Sequence, residues 1–354
     1  MIMSKRFSFY YLLGTLLSVT LLASCDDELT EGVDIADIPS YYFENSYLDN
    51  KADAINDAIA DCSGNCETFF WITDIHWEPD LNARKSPLLI KYIASKTGIN
   101  KILNGGDTGN SQVICKNAIA QLKNAIGSNK VYTVTGNHEM NDASRYERPF
   151  QRVADELRGH CSDIVCGDGD RSYFYVDNID NKIRYIGLSS YGVFLDNEYE
   201  CRYTDEQLAW LNGTALNVQT GWTIVIFTHT LYFVGNGDKL GNSFPESGKF
   251  INAIDNYNGK GKIACVLMGH AHRDRIHIGD SGVPYILSAS DRHSVYNGDI
   301  NMKRIPGTIS EQHFEAVVID KTKKSIKLFA IGARAKGGID DAPGDEVEIR
   351  TVSY

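Results

Sequence analysis

The sequence predicts an α/β layered domain, on three observations. Apolar, β-branched and aromatic runs of strand length alternate with stretches of helical period between Thr68 and Leu157. Further on, Tyr173–Val176 and Ile183–Leu188 alternate around a polar turn, as an antiparallel hairpin does. The chain has 354 residues, 43% hydrophobic and 23% charged, which is ordinary globular composition and suits one large domain or two smaller ones.

In chain order, Lys5 and Arg6 precede an apolar run from Phe7 to Ala23. A basic start, an apolar stretch and small residues before a cut site form an export signal. The run falls short of the about 20 residues a spanning helix needs. Leu22-Ala23-Ser24-Cys25 resembles the lipobox of bacterial lipoproteins, which implies a signal peptide over 1–24 and a lipidated Cys25. The acidic Asp26, Asp27 and Glu28 resemble the surface-export signal of some such lipoproteins. The implied location is the cell envelope, with membrane attachment through Cys25 and an outer-membrane, surface-exposed position. An ordinary signal peptide and a membrane anchor are the alternatives.

Residues 25–66 are polar, acidic and tyrosine-rich and read as a tether with one short helix near Lys51–Cys62. The folded domain is expected over 67–335. Its strands are Thr68–Thr73, Lys101–Asn104, Val131–Thr135, Trp222–Thr228 and Ile263–Met268, with shorter ones near Arg275–Ile278, Tyr285–Ser288, Ala316–Ile319 and Ile326–Ile331. Helical periods mark Pro87–Lys96, Gln112–Ile126, Ser144–Leu157, Thr204–Leu216 and Lys249–Tyr257. Gly235–Gly248 is a long Gly, Asn, Asp and Ser-rich loop, the kind that sets specificity. Residues 336–354 read as a polar tail.

Export makes close cysteines candidate disulfides, Cys62 with Cys66 and Cys161 with Cys166. Without Cys25, the remaining seven, which include Cys115 and Cys201, are odd in number, so one thiol stays free. Cys265 lies in an apolar run and reads as a small buried hydrophobe. A zinc ribbon lacks its second cysteine pair. The formal charge of −11 disfavours a nucleic-acid partner, since no Lys/Arg cluster opposes it.

Five of the apolar runs share one property: each leads to side chains that bind metals or move protons. They are Asp74 and His76, Asp107, Asn137 and His138, His229, and His270 and His272. Five of the nine histidines stand at these ends. In an open α/β sheet, ligands bind beyond the carboxyl ends of strands, so the five ends converge. His160, His277, His293 and His313 lack such a setting and read as structural. Mixed Asp, His and Asn donors favour Mn, Fe, Zn, Ni or Co over Ca or Mg. A bridging carboxylate can hold two ions about 3.5–4 Å apart, which clamp a phosphoryl oxygen and acidify a water. A nearby histidine can protonate the leaving oxygen.

The ordered set DIH, GGDTGN, GNHE, THT and GHAH resembles the motifs of calcineurin-like metallophosphoesterases, over roughly Phe69–Gly332. The resemblance implies a four-layer α/β/β/α sandwich of two mixed sheets flanked by helices. It implies a phosphomonoesterase or phosphodiesterase using two divalent ions and a metal-bridging hydroxide. Asp74, His76, Asp107 and His272 would bind one ion; Asp107 would bridge to a second held by Asn137, His229 and His270. His138 would be the general acid or a transition-state stabiliser, with Glu139 as its partner. Thr108, Gly109 and Asn110 follow Asp107, so the tyrosine of purple acid phosphatases is missing and a ferric tyrosinate site is not expected. The substrate implied is a small-molecule or lipid phosphoester. The alternative is a non-catalytic metal-binding scaffold lipoprotein of the same fold; a nuclease is disfavoured by acidity. Trp77 reads equally as a substrate-stacking or a packing residue. Asn110, Arg145 and Arg273 are phosphate-side candidates that read more simply as structural.

Overall fold

The alternation in Phe69-Phe70-Trp71-Ile72 decides the architecture. In a strand, successive side chains point to opposite faces. In β1 (Cys66–Ile72), Phe69 and Trp71 enter one apolar cluster while Phe70 and Ile72 enter another. A strand buried on both faces belongs to the middle of a stack. The structure, a computed structural model, describes residues 33–78, 85–140, 163–167, 172–195, 198–201, 203–230, 247–292, 304–336 and 345–354. The leader, Cys25, the helix expected at Ser144–Leu157, nearly all of the Gly235–Gly248 loop, Arg145, His160, Cys161 and His293 lie outside the described residues.

The strands after β1 are β2 (Ile102–Asn104), β3 (Val131–Thr133), β4 (Val165–Cys166), β5 (Phe174–Asn178), β6 (Ile183–Leu188), β7 (Tyr191–Leu195), β8 (Glu198–Cys201), β9 (Thr223–Thr228), β10 (Lys262–Met268), β11 (Arg275–Ile278), β12 (Pro284–Leu287), β13 (His313–Asp320), β14 (Ser325–Gly332), β15 (Ala335–Lys336), β16 (Glu346–Val347) and β17 (Ile349–Ser353). The described α-helices are α1 (Tyr47–Asp61), α2 (Lys85–Thr97), α3 (Gln112–Ile126), α4 (Asp205–Trp210) and α5 (Ser247–Asp255). One sheet runs β17-β14-β13-β1-β2-β3 and the other β11-β12-β10-β9-β6-β5-β4. β1, β2 and β3 are mutually parallel, as are β6, β9 and β10. The sheets face each other through Phe69, Trp71, Tyr132, Phe174, Tyr185 and Phe227. α1, α2 and α3 cover the first sheet, and α4 and α5 cover the second. The four-layer mixed sandwich is therefore present.

α3 occupies the expected span. Ser111 accepts from the Ile114 amide at its start, and Gly127, with φ +59, ends it. The expected hairpins form as β5–β6 and β13–β14. Both flanks of the domain need correction. The expected tether over 25–66 is folded from Val33 onward: α1 buries Leu48, Ala52, Ile55 and Ala58 at helical spacing and packs on β13 and β14. The expected tail over 336–354 contains β17, which pairs antiparallel with β14 and turns Arg350 and Val352 inward. Cys62 and Cys66 are free thiols, with the Cys62 thiol donating to the Ala58 carbonyl at 3.2 Å. Cys265 is fully buried, as its apolar run required. Among the described residues no helix is long and apolar enough to cross a membrane.

Candidate dinuclear metal site

Parallel strands deliver their carboxyl ends to one edge, and backbone bonds between the loops hold them there. The Asp74 amide donates to Gly106 O at 2.9 Å, His76 to Asp107 O at 2.9 Å and Gly269 to His229 O at 2.9 Å. Asp74, His76, Asp107, His270 and His272 all have φ between +45° and +70°. Non-glycine residues rarely adopt this left-handed region, and such strain concentrates where side-chain placement matters. Two glycines make room. Gly106 has φ +90°, and a Cβ there would stand 2.7 Å from the Gly136 amide nitrogen. A Cβ on Gly136 would overlap the Asp107 carboxylate.

All eight predicted residues meet at this edge. The metal-capable groups are Asp74, His76 and His272; His76, Asp107 and His138; and Asp107, His229 and His270, so His76 and Asp107 are shared. Asn137 joins the third, its Oδ1 lying 3.2 Å from His229 Nε2 and 3.1 Å from His270 Nδ1.

The donor atoms fit a cation better than they fit each other. His229 Nδ1 lies 2.8 Å from the Gly105 carbonyl, which can only accept, so Nδ1 carries a proton. The Nε2 edge then faces Asp107 Oδ2 at 3.3 Å, Asn137 Oδ1 at 3.2 Å and His270 Nδ1 at 3.2 Å. One proton cannot serve three acceptors; a metal ion can. In the other half, His76 Nε2 and His272 Nε2 stand 3.0 Å apart. Asp74 Oδ2 accepts from Thr73 Oγ1 at 2.6 Å and from the His270 amide at 2.8 Å. Its Oδ1 is buried without a hydrogen-bond donor, 3.2 Å from His272 Nε2. Buried oxygens rarely stay in that state unless a cation completes them.

Electrostatics agree. Burial lowers the His76 imidazole to about 4, and burial with the His229 charge lowers His270 to about 4, so both present neutral lone pairs. Burial opposes charging of His229, yet the Asp107 carboxylate outweighs it and lifts His229 to about 10. That proton occupies the place a metal would take. Burial also opposes ionisation of Asp74 and Asp107, but His272 and His229 respectively hold them below the usual carboxylate range.

His138 sits at the half-open rim with its ring edge-on to His76, centroids 4.6 Å apart. Its Nδ1 is 2.6 Å from Asn110 Oδ1, and its Nε2 points inward, 3.8 Å from Asp107 Oδ2. Asn110, a phosphate-side candidate in the sequence, instead orients this histidine. Glu139 accepts from the amides of Asp107, Thr108 and Gly136, which replaces its expected partnership with His138. Nothing in the sequence separated these two roles, because Asn110 and Glu139 each close a motif that also carries metal-capable residues. Trp77 is buried among α2 and α3 residues and bridges Gly109, so it packs. Arg273 is partly buried, with its Nε lacking an acceptor. His313 is buried against Ala333 O and Asp274, and His277 lies on β11 beside Tyr285, both consistent with structural roles.

Paired sheets whose strand ends gather overlapping Asp/His groups define a dinuclear hydrolase type of site. A profile of the calcineurin-like phosphoesterase family matches residues 67–274, and the chain belongs to that family. It is a metal-dependent phosphoester hydrolase by family. The structure is similar to that of a dimetal phosphatase from Danio rerio, with TM-score 0.55 and 15% identity, covering 81% of this chain and 98% of that one. It also matches a purple acid phosphatase from yellow lupin (Lupinus luteus) seeds at TM-score 0.47 and 12% identity, over 81% of this chain and 54% of that one. No curated protein sequence matches the chain.

Proposed function

We propose that the protein hydrolyses small phosphoesters with two divalent ions held between Asp74, His76, Asp107 and His272 on one side and Asp107, Asn137, His229 and His270 on the other. The observation that supports this most is the convergence of metal-capable groups sharing Asp107 and His76 at one strand edge. Bound there, Mn, Fe, Zn, Ni or Co ions would supply charge stabilisation for a phosphoryl oxygen and an activated water. The protein does the rest. The His138 amide pins Asp107 Oδ1 at 2.8 Å, which leaves Oδ2 free to face both halves of the site. The Gly105 carbonyl fixes the His229 tautomer, and such outer bonds orient metal ligands. Asn110 holds the His138 ring with Nε2 toward the reacting centre. From there Nε2 donates a proton to the leaving oxygen as general acid.

The reading extends to location. The segment Leu22-Ala23-Ser24-Cys25 supports an exported lipoprotein of the cell envelope. A Cys25→Ala variant should lose the mass of the lipid and leave the membrane fraction; an unchanged mass would remove the lipid from the proposal.

The decisive assay uses p-nitrophenyl phosphate and bis-p-nitrophenyl phosphate with Mn, Zn, Ni or Co. Turnover of at least one ester should depend on added metal. His138→Ala should lower kcat by about 10²–10⁴. Bound metal with no turnover of either ester would point instead to a non-catalytic scaffold, and full activity in His138→Ala would remove the acid role.

A further inference from the structure

Glu139 is fully interior and takes no part in the chemistry above. Its carboxylate is nonetheless enclosed by donors from two separate loops. Oε2 accepts from the Asp107 amide at 3.1 Å and from the Gly136 amide at 2.6 Å, and Oε1 accepts from the Thr108 amide. Asp107 and Thr108 follow β2; Gly136 follows β3. One side chain therefore ties the loop carrying Asp107 to the loop carrying Asn137 and His138.

What it ties down is strained. Asp107 has φ +50°, which a side-chain-bearing residue holds only when its surroundings over-determine it. Gly106 and Gly136 are in near contact, too close for a Cβ on either. The three amides are buried and turn away from the sheet ladders, so without Glu139 they would lack acceptors. A carboxylate is the only common side chain that offers acceptors on both oxygens; glutamine would set its amide N–H against one backbone N–H.

We infer that Glu139 is a positioning residue that sets the separation of the two halves of the metal site by clamping the Asp107 backbone to the Gly136 turn. It acts through Asp107 and Asn137 and touches no reacting atom. This rests on the dinuclear reading above.

The test compares wild type with Glu139→Gln and Glu139→Ala. Calorimetric titration of metal-stripped protein with Mn²⁺, at a temperature where circular dichroism shows all three folded, reads affinity directly. Kinetics on p-nitrophenyl phosphate then follow at saturating Mn²⁺. Loss of an outer bond to a metal ligand typically costs 10–100-fold in metal affinity or activity. At least tenfold weaker binding of one Mn²⁺ equivalent is expected, with kcat lowered and KM little changed. Glu139→Gln, which keeps one oxygen, should fall between wild type and Glu139→Ala. A residue that only stabilised the fold would lower the melting temperature and leave Mn²⁺ affinity and kcat at wild-type values; that result overturns the inference. Should Glu139→Ala not fold, wild-type affinity and kcat in Glu139→Gln would overturn it equally. A wild-type protein that binds no Mn²⁺ would refute the dinuclear reading itself, a separate outcome.

Discussion

Strand β1 has a buried carboxylate near each end, and the two are handled in opposite ways. Glu67, near its start, is surrounded by donors: the Lys101 ammonium, the Tyr185 hydroxyl, and the Asn178 and Asn181 amides, the last at 2.5 Å. Burial alone would raise its carboxyl, but Lys101 and the hydrogen bonds outweigh that and hold it below the usual range. Lys101 precedes β2 in the first sheet, while Tyr185 and Asn178 lie on strands of the second, so this cluster joins the two layers. Asp74, just past the other end, has one oxygen satisfied and one facing an imidazole nitrogen with no donor. Around it the His76 and His272 Nε2 atoms crowd to 3.0 Å of each other. A buried acid that is fully paired is scaffold; a buried acid left short of hydrogen-bond donors beside clustered imidazoles suits a cation.

Substitutions at the two ends should therefore separate stability from chemistry. The largest effect belongs to the metal end. Asp107→Ala removes the shared ligand, and several kcal/mol of transition-state stabilisation correspond to about 10³-fold in turnover. Metal-stripped Asp107→Ala gives up the His138 amide bond and the His229 pairing but breaks no cluster between the sheets, so it should melt below wild type by less than Glu67→Ala does. Steady-state kinetics and calorimetry check both halves. At the other end, Glu67→Ala leaves the Lys101 charge buried and unpaired, which costs about 3–5 kcal/mol. Urea unfolding should show that loss while metal stoichiometry stays unchanged. Reversed outcomes, an unstable Asp107→Ala or a Glu67→Ala that loses metal, would break the contrast.

A smaller effect concerns pH. His76 and His270 are held at about 4 against an ordinary 6.5. Between those values the unfolded chain binds protons that the fold refuses. Metal-free protein should thus be destabilised progressively as pH falls from 6.5 to 4, with no further loss from these groups below that. His229, raised to about 10, acts in the other direction: its stabilisation is complete below 6.5 and fades as pH rises toward 10. Urea midpoints across pH, with His76→Ala as control, read the acid arm. A flat acid arm would mean that these imidazoles are not held neutral.

The site was more legible in the sequence than its supports were. Asp74, Asp107, Asn137 and His229 each close an apolar run, and strand ends converge by topology, so order and residue type sufficed. The roles of Asn110 and Glu139 were not readable. Which acceptor reaches the His138 Nδ1 depends on loop geometry within a few ångströms, and local order in GGDTGN and GNHE does not encode it. The flanks failed for another reason. The helix expected near Lys51–Cys62 is α1, but the acidic residues around Leu48, Ala52 and Ile55 hide that its apolar face packs on the sheet. β17 is short, and its inward Arg350 looks like a surface residue. It is buried because Glu315 on β13, 35 positions away, receives it at 2.6 Å. Long-range charge pairing of this kind leaves no local periodic trace.

The most direct measurement of the central claim is electron paramagnetic resonance on metal-stripped protein titrated with Mn²⁺. Two ions sharing the Asp107 carboxylate would be magnetically coupled. A coupled signal should grow in as the second equivalent binds, in step with turnover of p-nitrophenyl phosphate, and should vanish in Asp107→Ala. Two equivalents giving only the summed spectra of isolated ions, or turnover complete after the first, would contradict a dinuclear centre built on Asp107.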